Sequence, residues 1–137
     1  MILRQVSVLA LTLAAVSCGP PQARELKTFT ETYAMSVSWE PKPPTARTTI
    51  VFKVVVRDKK TGEPIENGEG RVFAQNIDGQ KTFDSFTPSA ESGAYTAKMK
   101  FITAGDWAIG IQFRKDSLAK LERPYGDIRL SVHNEKQ

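Results

Sequence analysis

Few side chains in this sequence are equipped for chemistry. The only thiol is Cys18, the only imidazole is His133, and beyond Met1 the thioethers are Met35 and Met99. Soft sulfur ligands select Cu(I) and imidazole suits Cu(II), so Met35, Met99 and His133 form the candidate copper set. Their settings favour plainer roles. Both methionines fall on the apolar side of alternating runs, where a flexible thioether fills a core. His133 closes the last run and reads as a solvated side chain. Glu40, Asp58, Glu63, Asp78, Asp84, Glu91, Asp106 and Asp127 stand at turns or strand ends, where local backbone hydrogen bonding accounts for acidic residues. A Ser–His–Asp arrangement would need His133 as its base, and no nucleophile context such as G-x-S-x-G accompanies it. Neither a phosphate-cradling loop nor a dinucleotide fingerprint occurs. The expectation is a non-enzymatic protein with no catalytic residue and no cofactor, copper being the one metal chemistry left open.

Cys18 has a more specific setting. Met1 to Gln5 carries one positive charge, Arg4, and Val6 to Val16 is an apolar run. That run is shorter than the ~20 residues a bilayer-spanning helix needs, which makes it the core of a secretory signal. The stretch Leu13-Ala14-Ala15-Val16-Ser17-Cys18-Gly19 resembles the lipobox of bacterial lipoproteins, with Ala15 where Leu is usual. The resemblance implies cleavage before Cys18, acylation of its sulfur and then of its new amino group. Removing residues 1–17 takes away one charge and leaves 120 residues at +3. Each acyl methylene buried in a membrane contributes ~0.8 kcal/mol, so several chains together anchor stably. Gly19, where an Asp often retains such proteins at the inner membrane, leans towards the outer membrane in a cell that has one. Residues 18–29 then read as the lipidated Cys and a flexible tether with two prolines, and 30–134 as the folded domain.

Composition agrees with one ordinary domain: 137 residues, 40% hydrophobic, 25% charged. A single Cys excludes an internal disulfide. The formal charge of +4 is mostly dispersed, and no basic–aromatic interleaving marks a nucleic-acid binder. One basic cluster stands out: Arg114, Lys115, Lys120 and Arg123, tempered by Asp116 and Glu122. It is the candidate interaction patch for an anionic head group or an acidic partner, and a solvated loop is its plainer reading.

The elements that would position these residues are strands. Gly93 to Phe113 holds two alternating runs, Tyr95/Ala97/Met99/Phe101 and Trp107/Ile109/Ile111/Phe113. Ile102 to Asp106 reads as the short connection of an antiparallel pair. Tyr33–Trp39 and Thr48–Arg57 alternate likewise, Pro41, Pro43 and Pro44 ending the first. Arg71–Asn76 and Lys81–Phe86 flank a turn with Asp78-Gly79, and Phe83 reads as the apolar anchor of the second of them. Thr87 to Ser92 is a loop, Ser117 to Glu122 allows one helical turn, and Asp127–His133 is the last strand. Seven strands with regular turn signals predict an all-β, antiparallel, immunoglobulin-like β-sandwich behind a lipoprotein signal peptide.

Ser38-Trp39-Glu40-Pro41 with Pro43-Pro44, Gly62-Glu63-Pro64-Ile65, Gly93-Ala94-Tyr95 and Ala104-Gly105-Asp106-Trp107 follow one another in an order that resembles the YtkA-like/FixH-like domain of bacterial envelope proteins. The resemblance spans roughly Tyr33 to Val132. It implies an Ig-like fold; the lipobox, the sandwich pattern and the absence of catalytic groups add the expectation of a lipid-anchored envelope module that binds another envelope protein, facing the periplasm or exterior. FixH-type relatives imply an alternative, an accessory role in copper handling or respiratory oxidase assembly. The Met- and His-rich stretch of some YtkA-like members corresponds here to Val72–Gly79, which contains neither residue.

Overall fold

The computed structural model describes residues 25–135. The stretch expected to be a signal peptide, with Cys18 and Gly19, lies outside the described residues. Within them there are nine strands and no helix: β1 Leu26–Phe29, β2 Tyr33–Glu40, β3 Thr49–Asp58, β4 Glu69–Asn76, β5 Lys81–Ser85, β6 Thr87–Pro88, β7 Ala94–Lys100, β8 Gly105–Arg114 and β9 Ile128–Val132. They form two antiparallel sheets, β1-β2-β3-β7-β6 and β5-β4-β8-β9. The fold is the expected immunoglobulin-like sandwich, with two short strands added to the expected seven.

Alternation sends one side of each strand into a shared core. Tyr33, Met35 and Val37 from β2, alternate residues from Ile50 to Val56 of β3, and Tyr95, Ala97 and Met99 of β7 with Phe101 just beyond it meet Val72 and Ala74, alternate residues from Trp107 to Phe113, and alternate residues from Ile128 to Val132. The largest members interlock, two of the pairs edge-on and the third tilted. Tyr33 and Phe113 have ring centroids 5.0 Å apart, Tyr95 and Phe113 5.3 Å, and Phe101 and Trp107 5.0 Å. Gly68 is required by this packing, because a Cβ there would lie 2.1 Å from the Phe113 ring.

Four expectations need correction. Tyr95–Phe101 and Trp107–Phe113 are not a hydrogen-bonded pair. β7 pairs with β3 and β6 in one sheet, and β8 pairs with β4 and β9 in the other. Ile102 to Ala104 therefore crosses the sandwich, and the two runs meet through their side chains. Phe83 is no core anchor but 63% exposed, paired with Phe73 on the outer face of the second sheet. Phe86 turns inward instead, stacking 5.6 Å from Tyr95 as the chain switches sheets between β5 and β6. Ser117 to Glu122 makes a hydrogen-bonded turn and no helix. Finally, Leu26–Phe29 is not part of a free tether: all four residues pair with β2, from Leu26↔Val37 to Phe29↔Ala34.

The strand directions give the sandwich two poles. At the first lie the β2–β3, β4–β5 and β7–β8 connections; β1 runs away from that side and begins at mid-sheet, where Leu26 sits opposite Val37 and Val37 opposite Val54. At the second lie the β1–β2 turn, the β3–β4 connection and the long β8–β9 loop. The ten residues of β3 separate the poles by about 33 Å.

Candidate functional site

The β8–β9 loop, residues 115–127, is long for a sandwich connection, and specific bonds fix its shape. Its first residue is held when the Lys115 N–H donates to the Tyr33 hydroxyl at 2.9 Å. Asp116 accepts the backbone N–H groups of Leu118 and Ala119 at 2.9 and 2.8 Å. Glu122 is bridged to Phe113 through paired backbone bonds. Its carboxylate accepts both the Thr30 hydroxyl and the Thr32 N–H at 2.8 Å, tying the loop to the β1–β2 turn. Thr30 is fully buried beneath it and accepts the Tyr33 N–H at 2.9 Å. Burial raises the Tyr33 phenol above its ordinary value, against the lowering effect of the Lys115 bond.

Among the exposed residues of this braced loop are three large apolar ones. Leu118 is 96% exposed and Tyr125 81%, with Leu121 half-exposed between them. Isolated surface hydrophobics are ordinary, but three within eight residues on a braced loop, rimmed by charge, have the composition of a contact surface.

The four basic residues of the expected patch do not act together. Arg114 lies at the end of β8 with two nitrogens on one Glu69 oxygen, at 2.8 and 3.0 Å. Arg123 pairs with Asp127 at 2.8 Å and lies 4.7 Å above the centre of the Phe73 ring. Lys115 and Lys120 stay exposed, and neither belongs to an ion pair among the described residues. The patch is thus two neutralised arginines and two lysines flanking an apolar loop, a surface suited more to a mixed protein contact than to a polyanion.

Arg123 connects the loop to the outer face of the second sheet. Phe73 lies flat there because Gly110 opposite has no side chain; a Cβ at 110 would sit 2.2 Å from its ring. Arg71 stands 5.7 Å from the Phe73 ring and 5.5 Å from that of Phe83, steered by its bond to Gln112. Beside Phe73 and Arg123 opens a shallow cleft of about 620 Å³, with Asp106, Asp127 and Arg129 on its walls. Sequence reasoning passed over this face, although one signal was there. Phe73 falls out of phase with the buried Val72 and Ala74, which marks an outward aromatic. Leu118 and Tyr125 carried no periodic signal at all.

The copper candidates do not converge. Met35 pairs with Val56 and Met99 with Ile50, six residues apart on β3, so about 20 Å separates them. Both are buried in the core, whereas His133 is exposed and bridged to Thr45 by the backbone. No group of three or more His, Cys, Asp or Glu residues is placed to hold a metal among those described. Trp107 is core as expected, its indole N–H donating to Thr103 O at 3.0 Å, while Trp39 is half-buried at the rim with Lys42 over its ring.

No family model and no curated protein matches this chain. Solved structures do. A DUF4426 family protein from Pseudomonas aeruginosa PAO1 superposes with a TM-score of 0.61 at 13% identity, covering 82% of this chain and 97% of that one. The Lin-41 filamin domain gives 0.54 at 17% identity, covering 72% and 91%. A copper-bound variant of FetP from uropathogenic Escherichia coli strain F11 gives 0.49 at 13% identity, covering 79% and 87%. At these identities the first two likenesses establish the sandwich fold, and function has to be argued from this chain's own surface.

Proposed function

We propose that this protein is a non-enzymatic, Ig-like binding module of the bacterial envelope, anchored by acyl chains on Cys18 and docking another envelope protein through its β8–β9 loop. The observation that carries this reading is the polarity of the domain. β1 runs towards the pole of the braced loop, so the described chain enters the sandwich opposite the middle of β3 and away from Leu118, Leu121 and Tyr125. An anchor on that entering segment leaves the loop free to meet a partner. The lipobox-like stretch ending in Cys18 supplies the anchor, Gly19 favours the outer membrane, and the YtkA-like order of motifs is in keeping with an envelope setting. Copper handling receives no support from the separated thioethers.

The test is affinity purification of the full lipidated chain from bacterial membranes, beside Leu118→Asp and Tyr125→Ser variants of unchanged melting temperature. One envelope protein should co-purify with the wild type and be lost with either variant. Equal recovery from all three would remove the loop from the interface. In the same cells Cys18→Ser should move the chain into the soluble fraction, and persistence in the membrane pellet would remove the anchor.

A further inference from the structure

We infer that the outer face of the β5-β4-β8-β9 sheet binds an acidic polysaccharide, Arg71 gripping an anionic group on the sugar chain, carboxylate or phosphate, while a sugar ring stacks on Phe83. This surface is distinct from Leu118, Leu121 and Tyr125, and the inference depends neither on the docking loop nor on the Cys18 anchor.

The first argument is an arginine held in place without a counter-charge. Arg71 stands on β4 between Gln112 of β8 and Ser85 of β5. Its Nε donates to Gln112 Oε1 at 2.9 Å, and its guanidinium lies 5.7 Å from the centre of the Phe73 ring and 5.5 Å from that of Phe83. A neutral amide and two rings thus orient it, and it belongs to no ion pair among the described residues. A planar fork fixed through Nε, with its terminal nitrogens free, is suited to take a carboxylate or phosphate by two parallel bonds. The rest of the face has the same sign. At the outward positions of these strands Glu69 is engaged by Arg114, while Lys81 and Arg129 are exposed and join Arg71 outside any described ion pair. Asp106 alone stands against them there.

The second argument is which anion fits. Phe83 is 63% exposed beside Arg71, whereas Arg123 covers Phe73 at 4.7 Å. One open ring, whose negative π face attracts C–H bonds, suits the apolar side of a sugar; a single-stranded nucleic acid is held by a series of open rings. Arg71, Phe73 and Gln75 all stand on β4, whose backbone is paired with β5 on one side and β8 on the other. The face therefore offers side chains and no main-chain partners, whereas an extended peptide adds to a sheet edge. Lys81 lies opposite Gln75, so its backbone position is four residues along from Arg71, about 13 Å. Two cations that far apart with an open ring between them match a chain of recurring anionic groups better than one small anion.

The experiment is isothermal titration of the full chain with hexagalacturonate and, separately, with a mannose 6-phosphate oligosaccharide. Their neutral counterparts, methyl-esterified hexagalacturonate and the unphosphorylated mannan oligosaccharide, are titrated alongside. Binding of at least one acidic sugar and of neither neutral one is expected, and the one that binds identifies the anion. Arg71→Gln should weaken binding about tenfold or more and Phe83→Ala about fivefold. Lys100→Gln, on the opposite sheet, should leave it unchanged. Arg71 and Phe83 are both exposed, so the variants should melt as the wild type does. No binding of either acidic sugar at millimolar concentration overturns the inference, as does equal binding by Arg71→Gln and wild type. Equal weakening by Lys100→Gln shows a diffuse response to charge and overturns it too. Tighter binding of hexaglutamate or oligothymidylate assigns the face to an acidic peptide or a nucleic acid and overturns it likewise.

Discussion

Replacing Tyr95 by Phe isolates two hydrogen bonds that tie the β3–β4 connection to the core. The Tyr95 ring is buried between Phe86 and Phe113. Its hydroxyl donates to Ile65 O at 2.6 Å and accepts the Gly68 N–H at 2.9 Å. Phe keeps the ring contacts and strands a carbonyl and an amide. A stranded buried group costs about 1–3 kcal/mol, and because Ile65 and Gly68 are half-buried the low end applies to each. The expected loss is about 2 kcal/mol, which for ~2.1 cal/mol/K per residue lowers Tm by about 9 °C in a domain of this size. A second signature separates this from a packing defect. Burial raises the Tyr95 phenol above its ordinary value, outweighing the opposing Gly68 bond. A raised pKa means the stabilisation is complete below pH ~10 and is lost as the pH climbs through the folded value. Thermal melts of both proteins from pH 7 to 11 should show the wild type falling more steeply above pH 10. A Tm change under about 2 °C, or parallel alkaline limbs, would refute the claim that this hydroxyl closes the connection.

Two further perturbations test the core and the far turn. Trp107→Ala removes a fully buried indole and its bond to Thr103, at an expected cost of roughly 3–5 kcal/mol by denaturant unfolding; an unchanged midpoint would mean the two sheets do not meet there. Asp58 accepts the N–H groups of Thr61 and Lys60 at 2.9 and 2.8 Å, bonds that lower its pKa. Its contribution is complete above the ordinary carboxylate range and disappears as the pH falls through the depressed value, so Asp58→Ala should flatten the acid limb of the Tm–pH curve below pH ~4; identical acid limbs would contradict it.

Period-two alternation is a local property, and it revealed nearly the whole inner face. Tyr33, Met35, Val37, Ile50, Phe52, Val54 and Val56 are all buried as their spacing predicts. Pairing is not local. The short stretch between Phe101 and Trp107 suits a hairpin turn or a crossing between sheets equally well, and only the distant partners β3 and β4 decide for the crossing. Phe83 failed for a related reason. One aromatic in a short polar run does not say which face is inside, and cross-strand pairing with Phe73 turned it outwards. The basic cluster was visible as composition, but the carboxylates that neutralise half of it come from Glu69, forty-five positions from Arg114, and from Asp127.

The most consequential of the missed elements is the smallest. Without β1 the chain would enter the sandwich at Tyr33, which pairs with Asp58 at the pole of the β8–β9 loop. An anchor attached there would press Leu118 and Tyr125 towards the membrane. Four paired residues carry the entry point back along β2 to mid-sheet, Leu26 lying opposite Val37 and Val37 opposite Val54. Such a short edge strand is marginal on its own. It is secured where it turns, by Thr30 N–H donating to Tyr33 O at 2.9 Å and by the Glu122 carboxylate reaching across from the loop. Glu122 thus both braces the β8–β9 loop and fastens the strand by which the described chain enters the sandwich, so a single carboxylate couples the seating of β1 to the shape of the loop.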